Sequence, residues 1–190
     1  FDSRFGRVSE ININTTYTDK TYLRQSLGFE IFDAEGCPGS ESFLVRVERN
    51  GEFFSVAAFI EQPDDDLLRR EGLGDEGALY KMFNAFTSAS SVEKKNRHWE
   101  SNADLQSFIS GMNGRSGDAL RTYLFDNVNV PAMLSYLAAN VLTQNNDCMA
   151  KNYYLYRDSD GTGEWTMLPW DVDLSFGRHF MTDDSILGDT

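Results

Sequence analysis

The sequence LTQNNDCMAKNYYLYRDSDGTGEWTMLPWDVDLSFG, residues 142–177, decides the predicted fold because it alternates apolar runs with aspartates. Aromatic and aliphatic residues at 153–156 and 165–168 predict two strands, and residues 157–163 between them predict a turn. The second strand is expected to continue to Asp173 and to carry two carboxylates at its end. The stretch therefore predicts a hairpin that ends in an Asp-x-Asp sequence.

The carboxylates and amides of this stretch are the residue types that phosphoryl transfer from ATP requires. One carboxylate must lie near the acceptor hydroxyl, and oxygen ligands must hold the divalent metal ions that bridge the phosphates. Protein kinases supply these groups from a D-x-x-x-x-N loop and from an Asp after the next strand pair. Asp147 and Asn152 have this spacing, and Asp171 follows the next hairpin. The order of these residues favours a phosphoryl-transfer site more than the Asp–Asn pair alone does.

Structural explanations of the same residues remain open. Asp147 and Asn152 could be loop residues that close the preceding helix and cap backbone donors. Asp171 and Asp173 are expected on the same side of a strand, where two like charges repel unless a cation or a basic partner lies between them. A purely structural role at the protein surface therefore explains Asp171 and Asp173 less well than it explains Asp147 and Asn152.

The N-terminal part of the sequence predicts a helix followed by a hairpin. Apolar residues recur at near-helical spacing over residues 20–34, after a candidate N-cap at Thr18 or Asp19. Two β-rich runs follow and are joined at Asn50 and Gly51. Asn-Gly is the strongest short hairpin signal because a type I′ turn needs positive φ at both central residues.

The middle of the chain is predicted to be mainly helical. Pro63 ends the hairpin, and a short helix and a loop are expected before a small apolar patch at residues 79–83. Residues 84–118 are polar and predict two short helices with mobile connections. The most helical segment, residues 129–142, has a proline in its first turn and predicts a core helix. The residues of its predicted buried stripe are Met133, Leu134, Leu137, Ala138, Val141 and Leu142.

The composition indicates a folded domain and excludes some partners. The chain has 190 residues, of which 41% are apolar and 25% charged. Its net charge of −13 and its pI near 4.5 disfavour an electrostatic grip on nucleic acid or on an anionic membrane, and no apolar run is long enough to span a bilayer. Cys37 and Cys148 could pair or remain free. Because the sequence lacks an initiator methionine and stops on a polar run, we expect a piece of a longer chain, truncated at both ends.

Several segments resemble the spore-coat protein CotH kinases, a family of atypical secreted or surface protein kinases. The resemblance runs from about residue 17 to residue 177. The matching segments are YTDKTYLRQSLGFEIF, FIEQPDDDLLRRE, GALYK, LAANVLTQNNDCMAKNYYLYRD and LPWDVDLSFG. The resemblance implies an α+β, two-lobed protein-kinase-like fold, with an N-lobe-like part at residues 1–63 and a helical C-lobe-like part at residues 64–190.

The resemblance also implies roles for individual residues. Asp147 would be the catalytic Asp, and Asn152 would be the metal-binding Asn of its loop. Asp171 would be the metal-binding Asp, with Asp173 a second ligand. Because DLSFG also begins with Asp and ends in Phe-Gly, Asp173 could instead be the principal ligand. By the layout of the family, Glu30 is a candidate partner of a phosphate-binding lysine.

Two further expectations concern the nucleotide. The exit of the hairpin, formed by Ile60, Glu61 and Gln62, would lie where kinases place the hinge and would offer backbone groups to adenine. The family carries its phosphate-binding lysine before the first helix, and this sequence has no lysine before Lys20. Either the N-terminal lobe is incomplete here, or Lys81 of GALYK takes that role, which is the less favoured alternative.

The function implied by the resemblance is ATP-dependent phosphorylation of Ser or Thr on a protein partner, with Mg²⁺ or Mn²⁺ as the metal. The partner would be a coat or surface protein, and the location would be extracellular or at the cell or spore surface. Two alternatives remain open. One is a catalytically inactive kinase-fold module that acts in surface assembly or adhesion, and the other is an enzyme that transfers AMP rather than phosphate.

Overall fold

The computed structural model describes residues 10–16 and 19–178, which form two antiparallel sheets and five helices. The first sheet uses residues between 11 and 61, and the second uses residues between 78 and 169. The predicted α+β class is confirmed. Each sheet lies on one side of the expected division between residues 63 and 64, and the division into two domains stays a prediction.

The first sheet contains β1 (Ile11–Asn14), β2 (Ser42–Arg49) and β3 (Glu52–Glu61), in the order β1-β3-β2. β2 and β3 form the predicted hairpin. Its turn residues Asn50 and Gly51 have φ angles of 56° and 84°. Both angles are positive, as a type I′ turn requires, so the Asn-Gly prediction is confirmed.

Helix α1 (Arg24–Ala34) begins four residues later than predicted, because Asp19 organises the segment before it. One Asp19 carboxylate oxygen accepts a hydrogen bond from the backbone N–H of Thr21 at 3.0 Å, and the other accepts from the backbone N–H of Arg24 at 2.9 Å. The Arg24 guanidinium adds an ion pair at 2.6 Å. The N-cap residue of α1 is Leu23, so Asp19 is not the N-cap that was predicted, although its side chain caps the N–H of Arg24 from the segment before the helix. The other candidate, Thr18, lies outside the described residues.

The second sheet contains β4 (Ala78–Met82), β5 (Val92–Lys94), β6 (Tyr153–Arg157) and β7 (Trp165–Pro169), in the order β5-β4-β6-β7. β6 and β7 form the predicted hairpin. β4 and β5 are absent from the sequence-based prediction. β4 is buried on both faces and so lacks the alternation that marks a strand, and β5 has only three residues.

The other helices surround the second sheet. They are α2 (Asp65–Arg70), α3 (Ala103–Asn113), α4 (Gly117–Asn127) and α5 (Val130–Leu142). The short helix expected after Pro63 is α2. Two helices were expected within residues 84–118, but only α3 lies there, because α4 begins at Gly117 and lies almost entirely beyond that range. Pro131 lies in the first turn of α5 as predicted, and the Asn129 side chain caps the helix by accepting a hydrogen bond from the backbone N–H of Ala132 at 3.2 Å.

The second sheet is buried on both faces, and its two faces belong to different apolar clusters. One face contributes Tyr80 and Tyr153 to the main core, where α1 adds Phe29 and Phe32. The opposite face contributes residues such as Tyr154 to a smaller cluster, which includes two leucines of α2. Because α1 packs into the same core as the second sheet, the N-terminal helix and the C-terminal hairpin are held together by apolar contact.

Five of the six residues in the predicted buried stripe of α5 are exposed, while the sixth, Met133, is half-buried and packs against the main core. Leu134 and Val141 are 60% and 77% exposed, and Leu137, Ala138 and Leu142 are also exposed. The helix instead buries Tyr136, Ala139 and Asn140, and it packs against β7 and α1. Its leucine-rich face borders an open apolar groove of about 1020 Å³ that α4 also lines. An amphipathic pattern identifies an apolar face, but it does not identify what covers that face.

The structure also bears on two expectations about the whole chain, namely the lack of a membrane span and the state of the two cysteines. Within residues 10–16 and 19–178, no helix has the length and apolar character that a membrane span needs. Cys37 and Cys148 are both free thiols. Cys37 is buried, with Sγ 3.8 Å from the carbonyl oxygen of Met167, and Cys148 is half-buried in the loop after α5.

We expect Asp19→Ala to destabilise the protein by about 2–4 kcal/mol at pH 7, because it leaves buried N–H groups and the Arg24 guanidinium without their acceptor. Burial would by itself raise the pKa of Asp19, but its hydrogen bonds and the Arg24 charge lower it below 3.8. The ionised carboxylate therefore stabilises the fold above about pH 4, and this contribution is lost as pH falls through the lowered pKa.

The measurement is urea unfolding at pH 7 and at pH 3, with Asp33→Ala, an exposed Asp on the same helix, as the control. The difference between wild type and Asp19→Ala should shrink at the lower pH. A difference as small as that of Asp33→Ala at pH 7 would contradict the capping role.

Candidate active site

The pairing of β6 with β7 brings the two polar segments of the site together. Beyond the last strand pair, the backbone N–H of Trp170 donates to the carbonyl oxygen of Asn152 at 3.2 Å. In an antiparallel register, the next opposed positions are Lys151 and Asp171. Asn152 and Asp171 therefore leave neighbouring strands at the same end of the sheet.

The Asp147 carboxylate is held by two donors from its own loop. Asn152 Nδ2 donates to Asp147 Oδ2 at 2.8 Å, and Lys151 Nζ forms an ion pair with the same oxygen at 3.0 Å. In the described part of the chain, no residue hydrogen-bonds Asp147 Oδ1 and no backbone N–H donates to this carboxylate. The capping explanation therefore does not describe Asp147, whose Oδ1 has no hydrogen-bond partner among the described residues.

Two asparagines anchor this loop. Asn145 is buried and donates through Nδ2 to Asn140 Oδ1 of α5 at 3.1 Å. Asn146 donates through its backbone N–H to the carbonyl oxygen of Leu174 at 3.2 Å, and through Nδ2 to that of Arg178 at 2.9 Å. The loop is thus tied to α5 on one side and to the segment after the Asp-x-Asp on the other.

Asp171 and Asp173 lie in turns rather than on a strand. β7 ends at Pro169, and Asp171 has a φ of 52°, which an extended strand does not allow. The predicted continuation of the strand to Asp173 is therefore wrong. Asn152, on the neighbouring chain segment, also has a positive φ of 64°. Asn and Asp tolerate this left-handed conformation better than most residues, so both residue types suit the bend at the end of the hairpin.

The two aspartates of the Asp-x-Asp are half-buried, and neither forms an ion pair with a side chain of the described residues. Burial raises the pKa of Asp173 to about 6, and the charges of Asp171 and Asp147 add to this effect. Burial also raises the pKa of Asp171, where Lys151 and Lys81 act in the opposite direction and Asp147 acts in the same one. A bound cation would relieve this repulsion.

The donor set suits Mg²⁺ or Mn²⁺. The carboxylates of Asp171 and Asp173 are hard oxygen ligands, and so is the amide oxygen of Asn152, whose nitrogen is committed to Asp147. Within the described residues, no three His, Cys, Asp or Glu side chains gather closely enough to hold a metal ion by themselves. Magnesium sites that handle nucleotides commonly use one or two carboxylates and complete their shell with water and phosphate oxygens. The residues present fit a metal of that kind.

Helix α1 contacts the Asp-x-Asp through Gly28. A Cβ at this position would lie 2.8 Å from Cγ2 of the buried Val172, so a side chain does not fit without a shift. Glu30 is two residues further on and therefore about 200° round the helix. It is exposed and lines a small crevice with Ser26 and Arg70. The structure does not bring Glu30 to the Asp-x-Asp, and its role as a lysine partner stays a prediction.

The predicted hinge segment has several polar groups already engaged. The backbone N–H of Glu61 donates to the carbonyl oxygen of Glu41 at 2.9 Å. Asn12 Nδ2 donates to the carbonyl oxygen of Ile60 at 3.3 Å and to Oε1 of the buried Gln62 at 2.9 Å. The structure therefore ties this segment to β1, and adenine recognition by it stays a prediction.

Some residues around the site were not singled out by sequence reasoning. Lys151 follows Asp147 by four residues, a spacing that could have suggested their ion pair. Gln25 of α1 is 1% exposed and accepts a hydrogen bond from Asn14 Nδ2 at 3.2 Å, so it joins the helix to β1. No sequence signal marks Gln25, because a lone polar residue in a helix usually faces water.

Comparisons with known proteins match most of the chain. The family model described as CotH kinase protein matches residues 2–186. The chain is also 28% identical over 188 residues to the inner spore coat protein H of Bacillus subtilis (strain 168), which covers 92% of this chain and 52% of that protein. The chain therefore spans about half the length of the curated relative that it matches.

We expect Gly28→Ala to destabilise the protein by about 1–2 kcal/mol, because the clash with Val172 outweighs the gain in helix propensity. Val172→Ala removes the methyl group that the new Cβ would meet. In the double variant the two effects should be non-additive by about 1 kcal/mol, measured by urea unfolding of all four proteins. Additive effects would show that α1 and the Asp-x-Asp are not in direct contact.

We expect Asp173→Asn to stabilise the metal-free protein at pH 7.5 by about 1–2 kcal/mol, after a discount for the partial exposure of the group. The pKa of Asp173 is about 6 in the fold, against an ordinary value of 3.8. Ionisation therefore removes folding stability from the wild type as pH rises from about 4 through about 6.

Thermal unfolding in the presence of a chelator, at pH 4 and at pH 7.5, checks this expectation. The two proteins should be close in stability at pH 4 and should diverge at pH 7.5, while Asp160→Asn in the exposed β6–β7 turn should show no such divergence. A wild type that is more stable than Asp173→Asn at pH 7.5 would contradict the charge repulsion.

Proposed function

Because this chain belongs to the CotH kinase protein family, as residues 2–186 show, we propose that it is a protein kinase domain that transfers the γ-phosphoryl group of ATP to Ser or Thr of a protein partner. The metal would be Mg²⁺ or Mn²⁺. The observation that carries the proposal is the Asp147 carboxylate, which two loop residues hold through Oδ2 while Oδ1 stays available.

Each residue of the site has a distinct task in this proposal. Asp147 accepts the hydrogen bond of the acceptor hydroxyl and orients it towards the phosphate. Asn152 positions Asp147 through its amide nitrogen and offers its amide oxygen to the metal. Asp171 and Asp173 supply carboxylate ligands from the opposite segment. When bound, the metal would neutralise the charge of the phosphates.

The proposed architecture is the two-lobed protein-kinase-like one. The first sheet and α1 would form the smaller lobe, and the second sheet with α3 to α5 would form the larger lobe. The contact between Gly28 and Val172 supports this layout, because it places the first helix directly on the segment that carries the metal ligands. Kinases use such a contact to couple the position of their helix to the state of the metal-binding segment.

A protein of a coat or surface layer is the proposed substrate class. The curated relative is named an inner spore coat protein, which favours a location at the spore surface and outside the cytoplasm. The net charge of −13 favours acceptor segments that carry basic residues near the Ser or Thr. It also disfavours nucleic acid as a partner.

A second candidate is a kinase-fold module that acts in coat assembly without catalysis. Two observations favour it. The relative is named for its place in the coat, and α1 is joined to β1 by the neutral pair Gln25 and Asn14 rather than by a Glu and a Lys. Nucleotide binding and phosphoryl transfer distinguish the two candidates.

We expect Asp171→Ala to weaken metal-dependent ATP binding by about tenfold or more, since it removes a charged ligand of the metal. Asp147→Ala should keep this binding but lower transfer by about 100-fold or more, because it removes the group that orients the acceptor. Asp160→Ala, an exposed Asp in the β6–β7 turn, is the control and should change neither.

Calorimetry with ATP and Mn²⁺ or Mg²⁺ measures binding, and label transfer to extracted coat proteins measures catalysis. ATP labelled at the γ position should label the acceptor, and ATP labelled at the α position should not, which separates phosphoryl from AMP transfer. Equal transfer by wild type and Asp147→Ala would refute the role of Asp147. Folded wild type that binds no ATP with either metal would favour the assembly module.

A further inference from the structure

The crevice that Glu30 lines lies on a face of α1 that is remote from the Asp-x-Asp. Ser26, Glu30 and Asp33 share this face because they are spaced by four and three residues, and Gly28 points about 200° away from it. The crevice has a volume of about 100 Å³ and lies between α1, the segment that leads into β2, and Arg70 of α2. Pockets for whole small molecules usually have about 300 Å³ or more, so this crevice suits the head group of a single side chain.

Three carboxylates border this crevice without a partner. Glu30 and Asp33 are exposed on α1, and Glu41 is half-buried directly before β2. Within residues 10–16 and 19–178, no group donates a hydrogen bond to these carboxylates and no side chain forms an ion pair with them. Carboxylates that share a concave surface repel one another unless a cation lies between them.

Arg70, the one cation that lines the crevice, does not compensate these carboxylates. Its guanidinium forms ion pairs with Glu61 at 2.5 Å and with Glu71 at 2.7 Å, and it donates to the carbonyl oxygen of Gly39 at 2.6 Å. Burial raises the pKa of Glu71, Arg70 acts in the opposite direction, and the negative charge of Asp33 adds to the rise. Among the described residues, the crevice therefore carries an excess of negative charge.

Ser40 adds a buried hydroxyl that lacks a partner. It is 4% exposed, it lines the crevice, and its Oγ forms no hydrogen bond within the described part of the chain. The hydroxyls of Ser26 and Ser42, which also line the crevice, are hydrogen-bonded to each other at 3.0 Å. Buried polar groups without a partner are rare and costly, so the Ser40 hydroxyl is a second indication of a polar ligand, independent of the charges.

The arrangement of the acceptors distinguishes between possible cations. Among the described residues, no three His, Cys, Asp or Glu side chains gather closely enough to hold a metal ion. A guanidinium group is planar, always charged and has five N–H donors that point in different directions, so it can reach acceptors that lie apart. A lysine ammonium carries its donors on one atom and is more strongly hydrated. The acceptors of this crevice therefore suit a guanidinium best.

We infer that this crevice binds the guanidinium group of an arginine side chain from a partner protein. The carboxylates of α1 and Glu41 neutralise its charge, and Ser40 Oγ accepts one of its N–H groups. The volume admits only the head group, so the rest of the partner lies outside the crevice, where the net charge of −13 attracts a basic segment. Because the crevice is remote from the Asp-x-Asp, the inference does not depend on phosphoryl transfer.

The experiment is an NMR titration of the ¹⁵N-labelled protein at low ionic strength. The probe is N-acetyl-arginine amide, which carries its charge on the guanidinium alone, and the backbone amides that shift locate its site. The citrulline derivative has the same shape without the charge, and the lysine derivative offers an ammonium instead. Free arginine adds a carboxylate, which the crevice should repel, and so separates an amino acid from a protein side chain as the source of the guanidinium.

Two variants of the crevice are compared with a matched control. Asp33→Asn combined with Glu41→Gln removes two charges, and Ser40→Ala removes the hydroxyl alone. The control, Asp118→Asn combined with Asp126→Asn, removes two charges from exposed positions on α4. Thermal unfolding tests whether each variant is folded, and the double variant of the crevice keeps the test decisive if Ser40→Ala is unstable.

The arginine probe should bind wild type with a dissociation constant of about 1 mM, and the largest shifts should lie in residues 26–33 and 39–42. The double variant of the crevice should weaken binding by about fivefold, and Ser40→Ala by about threefold. The α4 control should stay within about twofold of wild type. The lysine derivative should bind about threefold more weakly, and the citrulline derivative should show no saturable binding.

Several outcomes overturn the inference. Equal affinity of wild type and the double variant of the crevice, or largest shifts outside the crevice, would refute the site. Saturable binding of the citrulline derivative with equal affinity would refute the role of charge, and equal affinity for the lysine derivative would refute the preference for a guanidinium. Tighter binding of free arginine than of the capped probe would refute a partner protein as its source. None of these results bears on the proposed function.

Discussion

The antiparallel pairing of β6 with β7 is the constraint on which the rest of the site depends. The loop that carries Asp147 enters this hairpin through Asn152, and the Asp-x-Asp leaves it after Pro169. The hydrogen bond from Trp170 N–H to the Asn152 carbonyl oxygen extends the register by one step, so residues about twenty positions apart in the chain meet at one end of the sheet. A shift of one residue in this register would turn one of the two segments away from the other. Burial of the hairpin on both faces makes such a shift costly.

At the Asp-x-Asp, folding stability and the proposed function oppose one another. Asp171 and Asp173 are half-buried with raised pKa values, so their ionised forms weaken the fold in the absence of a cation. The protein supplies only part of the missing positive charge. Lys151 forms an ion pair with Asp147, and Lys81 lies near aromatic rings and forms no ion pair with a side chain of the described residues. Charged side chains that are not fully neutralised do not stabilise the fold. They are, however, the property that a site for a metal and a polyphosphate needs.

Local signals in the sequence predicted local structure well. The Asn50–Gly51 turn, the proline in the first turn of α5 and the β6–β7 hairpin all follow from interactions within a few residues of the chain. The errors concern long-range contact. β4 did not show an alternating pattern because apolar clusters cover both of its faces, and the stripe of α5 was assigned to the core because no local rule says which face of a helix meets the sheet.

The sequence by itself determined the chemical groups of the candidate site and their order along the chain, and it determined the family, whose model matches residues 2–186. Spacing within one loop is a local property, and it sufficed to select Asp147 and Asn152. Only the tertiary structure decided which other groups meet them. It brought Lys151 and Lys81 towards Asp171, placed Gly28 against Val172, and turned Glu30 to solvent. These outcomes depend on strand register and on the rotation of α1 about its axis, and burial of the whole core sets both.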